Sequence, residues 1–432
     1  MFKELDFPSG IRLLQSWQAG DAAAVARMQH IFNQTISGHC DDLFHVPAPT
    51  DRVHVCGPVD LLTLTLMYRL YGITAESFYK QDAARFVRTS LMTQKLLGLP
   101  RHYLSWPVYG LTAETLGQEM IYADQFSPGT DPDKPLLNRE HWQSIKPPDL
   151  HHGIPKQLDE IVDCYHQLTG LQPLLHLSAP YSLAADIFGQ EAIITALTHE
   201  PDFVNQLLDQ LMDTVLQPWI GHFFHRYPAG WVELSDASGS PFFIGPHNCK
   251  HVAIRAIQRL KNAHPWGDRV YVANYRGDYV TQASMSRDNN RRRRGQKNPP
   301  AGISLRELLQ AKYSVCQDFV IRLAEDRMPI SRYEEQAVEK CIPLLLGIGA
   351  TQIDRNSIGD LSTTRHETAA SSKAYVEAIK RVASKIARAG YAVKQPPWPG
   401  AIYFEDISAE SSFELIETIV ATTLGYGGLT GK

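Results

Sequence analysis

The segment NYRGD, residues 274–278, carries three polar side chains of different chemistry directly after an apolar run. Asn274 supplies an amide, Arg276 a guanidinium and Asp278 a carboxylate. A guanidinium can bind a carboxylate through two parallel hydrogen bonds, so Arg276 is a candidate clamp for a substrate carboxylate. Asp278 is a second candidate catalytic group, and Asn274 is a candidate substrate contact. The alternative is that Arg276 and Asp278 form an internal ion pair.

Asp236 occupies a similar position, after the apolar run WVEL and before the small residues ASGS. Small neighbours leave room for a ligand beside the carboxylate. Asp236 is therefore a candidate general acid, general base or hydrogen-bond anchor, and Ser238 is a candidate substrate contact. The alternative is a carboxylate that caps a turn or a helix.

Three further segments place polar side chains where an apolar run ends. Tyr181 and Ser182 lie in SAPYSLA, Tyr109 lies in VYGLTAE, and His54 and Cys56 lie in RVHVCG. We predict that Tyr181, Ser182, Tyr109 and Cys56 contact the substrate. For the tyrosines, packing is an equally common role.

His54 and Cys56 also form a His-x-Cys pair, a spacing that suits two ligands of one metal ion. More residues of ligand type stand just upstream, namely His39, Cys40, Asp41, Asp42 and His45. Their spacing is not that of a zinc finger, and the pattern leaves open whether a metal binds at all.

The composition is that of an ordinary globular protein. The chain has 432 residues, of which 44% are hydrophobic and 20% charged, and its formal net charge is −4. This slight acidity does not support binding to nucleic acid or to a membrane surface, and no apolar run is long enough to span a bilayer. The N-terminus MFKELDFPSG lacks the apolar core of a secretory signal, and the six cysteines include no CxxC pair. The sequence therefore predicts a cytoplasmic protein with free thiols.

The order of elements predicts an α/β fold. Residues 11–38 have the apolar spacing of a helix, and from about residue 50 short apolar runs alternate with amphipathic helices. Seven or eight such units favour a (β/α)8 TIM barrel, preceded by an N-terminal helical extension over residues 1–49. The barrel is expected to cover 50–432, with the carboxyl ends of its strands converging on one pocket.

Two long loop insertions interrupt this alternation, at residues 126–155 and 284–302. The second contains four consecutive arginines, Arg291–Arg294. Such a run is usually a solvated segment, and a lid over an anionic ligand is the alternative.

Several motifs, in their order along the chain, resemble the uroporphyrinogen decarboxylase superfamily. They are TDRVHV, VYGLTAETLGQEMIYADQFSPGTDPDKPLL, SAPYSLAADIFGQEAIITALTHEPDFVNQLLDQLMD and ELSDASGSPFFIGP. The resemblance implies a (β/α)8 barrel that is frequently a homodimer. It also implies one of two activities: removal of carboxylates from a tetrapyrrole, or transfer of methyl groups between corrinoid cofactors and thiols or other acceptors.

The residues depart from both branches of this superfamily. In its zinc methyltransferases a strand ends in His-x-Cys-Gly-Asp, and here Asn274 and Arg276 replace the two ligands. Those enzymes have a further cysteine ligand late in the chain, and the matching segment here, KQPPWPGA, contains no cysteine. In the tetrapyrrole decarboxylases a tyrosine stands where this chain has Asp186. The usual zinc site and uroporphyrinogen itself are therefore not expected.

These observations lead to one hypothesis and two alternatives. The hypothesis is a decarboxylase or other lyase that acts on a small anionic molecule, with Asp236 as the acid and Arg276 orienting the carboxylate; it needs no cofactor. The first alternative is a methyltransferase linked to a corrinoid protein or a thiol, with zinc relocated to a site such as His54 and Cys56. The second alternative is a barrel that binds a ligand without catalysis.

Overall fold

Parallel strands form the centre of the molecule. The computed structural model describes residues 6–46, 52–80, 82–99, 108–273, 275–278, 303–316, 319–388 and 400–425. Its strands are β1 (His54–Cys56), β2 (Met120–Ile121), β3 (Gly129–Thr130), β4 (Leu174–Ser178), β5 (Trp231–Ser235), β6 (Val270–Val272), β7 (Val320–Arg322), β8 (Leu344–Ile348) and β9 (Gly400–Phe404). One parallel sheet has the order β4-β5-β6, a second has the order β1-β9-β8-β7, and β2 pairs with β3 as a small antiparallel hairpin.

Helices separate the parallel strands along the chain. They are α1 (Phe7–Gln18), α2 (Ala22–Ile36), α3 (Asp60–Tyr71), α4 (Ala75–Tyr79), α5 (Ala83–Leu96), α6 (Val108–Thr115), α7 (Gly153–Thr169), α8 (Pro180–Phe188), α9 (Gln190–His199), α10 (Pro201–Leu211), α11 (Gln217–Arg226), α12 (Pro241–Asn248), α13 (Arg255–Ala263), α14 (Leu305–Val315), α15 (Ile330–Lys340), α16 (Ala350–Ile353), α17 (Leu361–Arg388) and α18 (Phe413–Leu424). Two π-helical stretches, Met212–Leu216 and Cys249–Ile254, join α10 to α11 and α12 to α13.

The first parallel strand pairs with the last one. His54 is opposite Ala401 and Cys56 is opposite Tyr403 in a parallel ladder. This pairing, with strands and helices alternating between the two, is what a (β/α)8 barrel requires. The predicted fold class is therefore confirmed. The segment HYLSWPV, residues 102–108, is a further apolar run of the kind that predicts a strand; its residues 102–107 lie outside the described part of the chain, and Val108 begins α6.

Side chains alternate between two environments along the strands, as the period of two requires. Leu175, Leu177, Val232 and Leu234 belong to the large core shared with the helices. Residues of alternate positions on the second sheet form a separate small cluster, made of Cys56, Ile321, Leu323, Leu345 and Ala401. The two clusters lie on opposite faces of the strands. One face packs against the helices and belongs to the large core, and the small cluster lies on the other face.

The N-terminal extension consists of two helices where the sequence predicted one over 11–38. The break falls at Gly20, whose φ of +81° is left-handed. Asp21 then caps α2 by accepting a hydrogen bond from the backbone N–H of Ala23. α1 packs against α2, α5 and α18, which attaches the extension to both ends of the barrel chain. The boundary at residues 49 and 50 stays a prediction.

The first of the two predicted insertions has partial order. The run TAETLGQEM, residues 112–120, favours a helix, but α6 ends at Thr115 and Met120 begins the β2–β3 hairpin. The segment 126–155 contains β3, a 3-10 turn at Trp142–Ser144 and the start of α7. The insertion with Arg291–Arg294 lies outside the described residues. No helix in the described part of the chain has both the length and the apolar character that crossing a membrane requires.

Candidate functional site

Asp236 is a fully buried carboxylate directly after β5. Its Oδ1 accepts hydrogen bonds from the backbone N–H of Ser182 at 3.2 Å and from the Ser182 hydroxyl at 3.0 Å. Its Oδ2 accepts one from the Tyr275 hydroxyl at 3.0 Å. A Cβ on Gly239 would lie 2.5 Å from both carboxylate oxygens, so this position has room only for glycine. The strand end is thus built around the carboxylate.

Burial and hydrogen bonding act in opposite directions on Asp236. Burial is the larger effect and raises its pKa to about 6, while the donors Ser182, Tyr275 and Gly239 lower it. An acid with this pKa is ionised for the most part at pH 7 and can exchange a proton near neutrality, as general acid–base catalysis requires.

Ser182 and Ser238, both predicted substrate contacts, lie next to this carboxylate. Ser182 is in the first turn of α8, which starts with Pro180, a residue that suits the first position of a helix. The Ser182 hydroxyl also accepts a hydrogen bond from the backbone N–H of Ser238 at 3.2 Å. Both residues therefore organise the surroundings of Asp236.

Tyr181 carries a buried hydroxyl whose hydrogen-bonding capacity is unused. The residue is 0% exposed, and its hydroxyl has no hydrogen-bond partner in the described structure. Burial, reinforced by the nearby charge of Asp236, raises the pKa of the phenol, so it stays protonated at neutral pH. Because buried hydroxyls are nearly always paired, this group is available to a ligand.

Tyr275 is a site residue that the sequence did not single out. It lies within NYRGD, and its hydroxyl bonds to Asp236, which joins the end of β6 to the end of β5. Asn274 lies outside the described residues, as does the side chain of Tyr109. A signal existed for Tyr275, since it stands between two residues that were chosen.

Arg276, the predicted carboxylate clamp, contacts carboxylates of the protein itself. Its Nη1 is 2.9 Å from Glu325 Oε1, and its Nη2 is 3.9 Å from Asp406 Oδ2. Glu325 follows β7, and Asp406 follows β9. These partners come from strands far along the chain, and the sequence did not indicate them.

Glu405 completes this group and lies against Glu325. Its Oε1 accepts the backbone N–H of Ala324 at 2.6 Å. Burial raises the pKa of Glu405 to about 7, and the neighbouring Glu325 raises it further through its charge and a hydrogen bond, whereas Ala324 and Arg276 lower it. Burial also raises the pKa of Asp406, and Glu325 adds to this while Arg276 opposes it. Glu405 can thus hold a proton near neutral pH.

We call the residues at these strand ends the strand-end site. They are Tyr181, Ser182, Asp236, Tyr275, Arg276, Glu325, Glu405 and Asp406. Consecutive residues Tyr275 and Arg276 connect the group around Asp236 with the group around Glu325. The arrangement combines two carboxyl groups whose pKa values lie near neutrality with one guanidinium.

Asp278 has a different environment from the one predicted for it. It is 0% exposed and accepts hydrogen bonds from the backbone N–H groups of Arg327 at 3.0 Å and Met328 at 2.9 Å, and from the Tyr333 hydroxyl at 2.6 Å. The buried Lys312 ammonium donates to the carbonyl of Gly277 at 3.1 Å. These contacts attach the end of the NYRGD segment to the β7–α15 connection.

The predicted metal-ligand candidates do not assemble into a set. Cys56 is buried and His54 half-buried on β1, and Asp41 is paired with Arg88, whose Nη2 is 2.6 Å from its Oδ2. Within the described ranges, no three His, Cys, Asp or Glu residues form a group that could hold a metal ion.

The zinc ligands implied by the family resemblance are not met either. At the position of one ligand stands Arg276, a permanent cation that already neutralises Glu325 at 2.9 Å. A zinc ion beside a guanidinium would be repelled, so the residues present do not fit the metal at this place.

Comparison with known proteins shows the fold. No protein-family model matches this sequence, and no curated protein matches it. Among solved structures, a methyltransferase from Methanosarcina mazei superposes with a TM-score of 0.60. The similar region covers 88% of this chain and 96% of that one, at 12% sequence identity. The two chains therefore share one architecture over almost their whole length.

Proposed function

We propose that this protein is a methyltransferase of the uroporphyrinogen decarboxylase superfamily and that it acts at the strand-end site. The observation that carries the proposal is the similarity to a methyltransferase over 96% of that protein's chain. Decarboxylation of a small anion, our leading hypothesis from the sequence, has less support. Its substrate was to be bound by Arg276, and that guanidinium is paired with Glu325.

The chemistry of methyl transfer fits two carboxyl groups that titrate near neutrality. The acceptor's lone pair forms a bond to the methyl carbon, while the bond from that carbon to the donor breaks and its electrons stay on the donor. The acceptor loses a proton, which Glu405 can take, because its pKa is about 7. Asp236 remains ionised at this pH and orients Tyr275 and Ser182 around the reactants.

The methyl donor is proposed to be a methylated corrinoid on a partner protein, as the superfamily resemblance implies. This chain offers an apolar rim for such a partner. Phe242 and Phe243 are 58% and 50% exposed, and the backbone N–H of Phe242 donates to the carbonyl of Arg276 at 3.0 Å. The rim therefore adjoins the strand-end site.

A direct assay tests this function. The purified protein is incubated without oxygen with methylcobalamin and a panel of thiol and amine acceptors. Loss of methylcobalamin absorbance and mass spectrometry of the acceptor report transfer. We expect transfer by the native protein, a loss of about 10²–10⁴-fold in Glu405→Gln, and normal rates in Glu410→Gln, a surface control paired with Arg355. Release of CO2 from small carboxylates with no methyl transfer to any acceptor would overturn the proposal in favour of a decarboxylase.

A further inference from the structure

We infer that Lys312 is a positioning residue of the strand-end site, which holds the Arg276–Glu325 ion pair in register by contacting the residue that follows each partner. Lys312 lies on α14, outside the strand-end site itself. Its proposed role rests on the proposed function only for the place of the chemistry, and it does not depend on which reaction occurs there.

Lys312 connects the two chain segments that carry the ion pair. Its ammonium donates a hydrogen bond to the carbonyl of Gly277 at 3.1 Å, and Gly277 directly follows Arg276. The same ammonium lies 3.9 Å from Oδ1 of Asp326, which directly follows Glu325. The pair itself joins Arg276 Nη1 to Glu325 Oε1 at 2.9 Å. One buried cation thus spans the same two segments one residue further along.

The burial of Lys312 indicates a specific role. Its side chain is 1% exposed, and that of Asp326 is fully buried. Removing an ammonium from water is costly, and in the described part of the chain one hydrogen bond and a carboxylate at 3.9 Å satisfy its three donors only in part. A hydrophobic residue at this position would avoid that cost. The lysine is therefore better explained by the geometry that it imposes than by a gain in stability.

Gly277 is the flexible point between Arg276 and Asp278. Its φ of +78° lies in the left-handed region, which glycine adopts more readily than other residues. The carbonyl of Arg276 accepts the backbone N–H of Phe242 at 3.0 Å, and Asp278 is held by the β7–α15 connection. The hydrogen bond from Lys312 fixes the peptide between these two attachments, and so limits how the backbone at Arg276 can move.

Glu405 reports the position of Arg276. Burial and the neighbouring Glu325 raise the pKa of Glu405, to about 7, while Arg276 lowers it. If Arg276 loses its register with Glu325, the guanidinium no longer acts on Glu405 from its native place. Removing an opposite charge from close range raises a carboxyl pKa by about 1–3, so a partial displacement of Arg276 should raise that of Glu405 by at least about 0.5.

The test measures this pKa in variants of α14. The full-length protein is labelled with 13C at the glutamate carboxyl carbons, and an NMR titration follows Glu405, whose signal is assigned by its absence in Glu405→Gln. Lys312→Met removes the ammonium and should raise the pKa of Glu405 by at least about 0.5. Tyr313→Phe is the matched control and should leave it unchanged. It removes one buried hydrogen bond from the same helix, to the carbonyl of Ile321 at 3.0 Å, which involves neither acceptor of Lys312.

A double variant shows how Lys312 acts. In an Arg276→Gln background, Lys312→Met should cause no further rise, because its effect passes through Arg276. A further rise of the same size would mean that the ammonium acts on Glu405 directly, and it would overturn the inference. An unchanged pKa in folded Lys312→Met, or an equal rise in Tyr313→Phe, would overturn it as well. If Lys312→Met does not fold, Lys312→Gln, which is uncharged and one bond shorter, takes its place with the same criteria.

These outcomes are separate from those of the proposed function. If the pKa of Glu405 rises as expected but no acceptor is methylated, the positioning role stands and methyl transfer fails. If methyl transfer is observed and the pKa of Glu405 is unchanged in Lys312→Met, methyl transfer stands and the positioning role is wrong.

Discussion

Replacing Asp278 by alanine tests whether this carboxylate positions the NYRGD segment or takes part in chemistry. The substitution removes the acceptor of three donors, namely the part-buried N–H groups of Arg327 and Met328 and the buried hydroxyl of Tyr333. The predicted consequence is a loss of stability, because the donors are left without partners inside the protein.

The size of the effect follows from these contacts. A buried donor without its partner costs about 1–3 kcal/mol, and water entering the new space recovers part of that cost. We therefore expect the free energy of unfolding to fall by about 3–5 kcal/mol. With an unfolding entropy of about 2.1 cal/mol/K per residue, a 432-residue chain would lose about 3–6 °C in Tm. Tyr333→Phe removes one donor and should cost about 1 kcal/mol.

Thermal and urea unfolding of the two variants, followed by circular dichroism, measure these differences. Methyl transfer is assayed at a temperature where both variants are folded. Asp278→Ala is expected to reduce activity through displacement of Arg276, and Tyr333→Phe to reduce it only slightly. A loss of less than about 1 kcal/mol in Asp278→Ala together with abolished turnover would refute the positioning role and favour a catalytic one.

Three further predictions concern single residues. The rate of methyl transfer should rise with pH through about 7, because Glu405 must be ionised to take a proton. In a pH–rate profile, Glu405→Gln should lose this dependence. If the variant's rate still rises near pH 7, Glu405 is not the base. Asp186→Asn should stabilise the protein by about 1–3 kcal/mol at pH 7. Burial raises the pKa of the Asp186 carboxyl, so its contribution to the free energy of unfolding is favourable below the pKa of the unfolded state and is lost as the pH rises through the pKa of the folded state. Urea unfolding should therefore show that Asp186→Asn stabilises the protein less at pH 4 than at pH 7. An equal stabilisation at the two pH values would contradict the assignment. Gly277→Ala should cost about 1–3 kcal/mol, since Gly277 has φ +78° and a Cβ would lie 3.1 Å from Phe242; unchanged thermal stability would disprove the strain.

The fold could be predicted because the sequence alternates strongly between short apolar runs and amphipathic helices. The parallel ladders of Leu174–Ser178, Trp231–Ser235 and Leu344–Ile348 coincide with such runs. The break at Gly20 was missed because the apolar spacing continues across it, and only the positive φ of the glycine shows the turn.

The group around Asp236 was partly predictable, since Ser182, Asp236 and Ser238 lie in segments of small and polar residues that follow apolar runs. Glu325, Glu405 and Asp406 also follow apolar runs, in VIRLAED and AIYFED, so the same criterion could have selected them. Their proximity to Arg276 could not be predicted, because it depends on which strands are neighbours in the sheet. The pKa of Glu405 depends on burial that no local pattern encodes.

The pairing of β1 with β9 has a consequence for how the chain is made. Ala401 leaves the ribosome roughly 350 residues after His54, which takes about 20–70 s at 5–20 residues per second. During this interval one edge of β1 lacks its partner, and the face of α1 that packs on α18 is uncovered. The nascent chain therefore displays surfaces that holding chaperones recognise. A chain truncated before β9 would keep these surfaces uncovered, and its expected fate is aggregation.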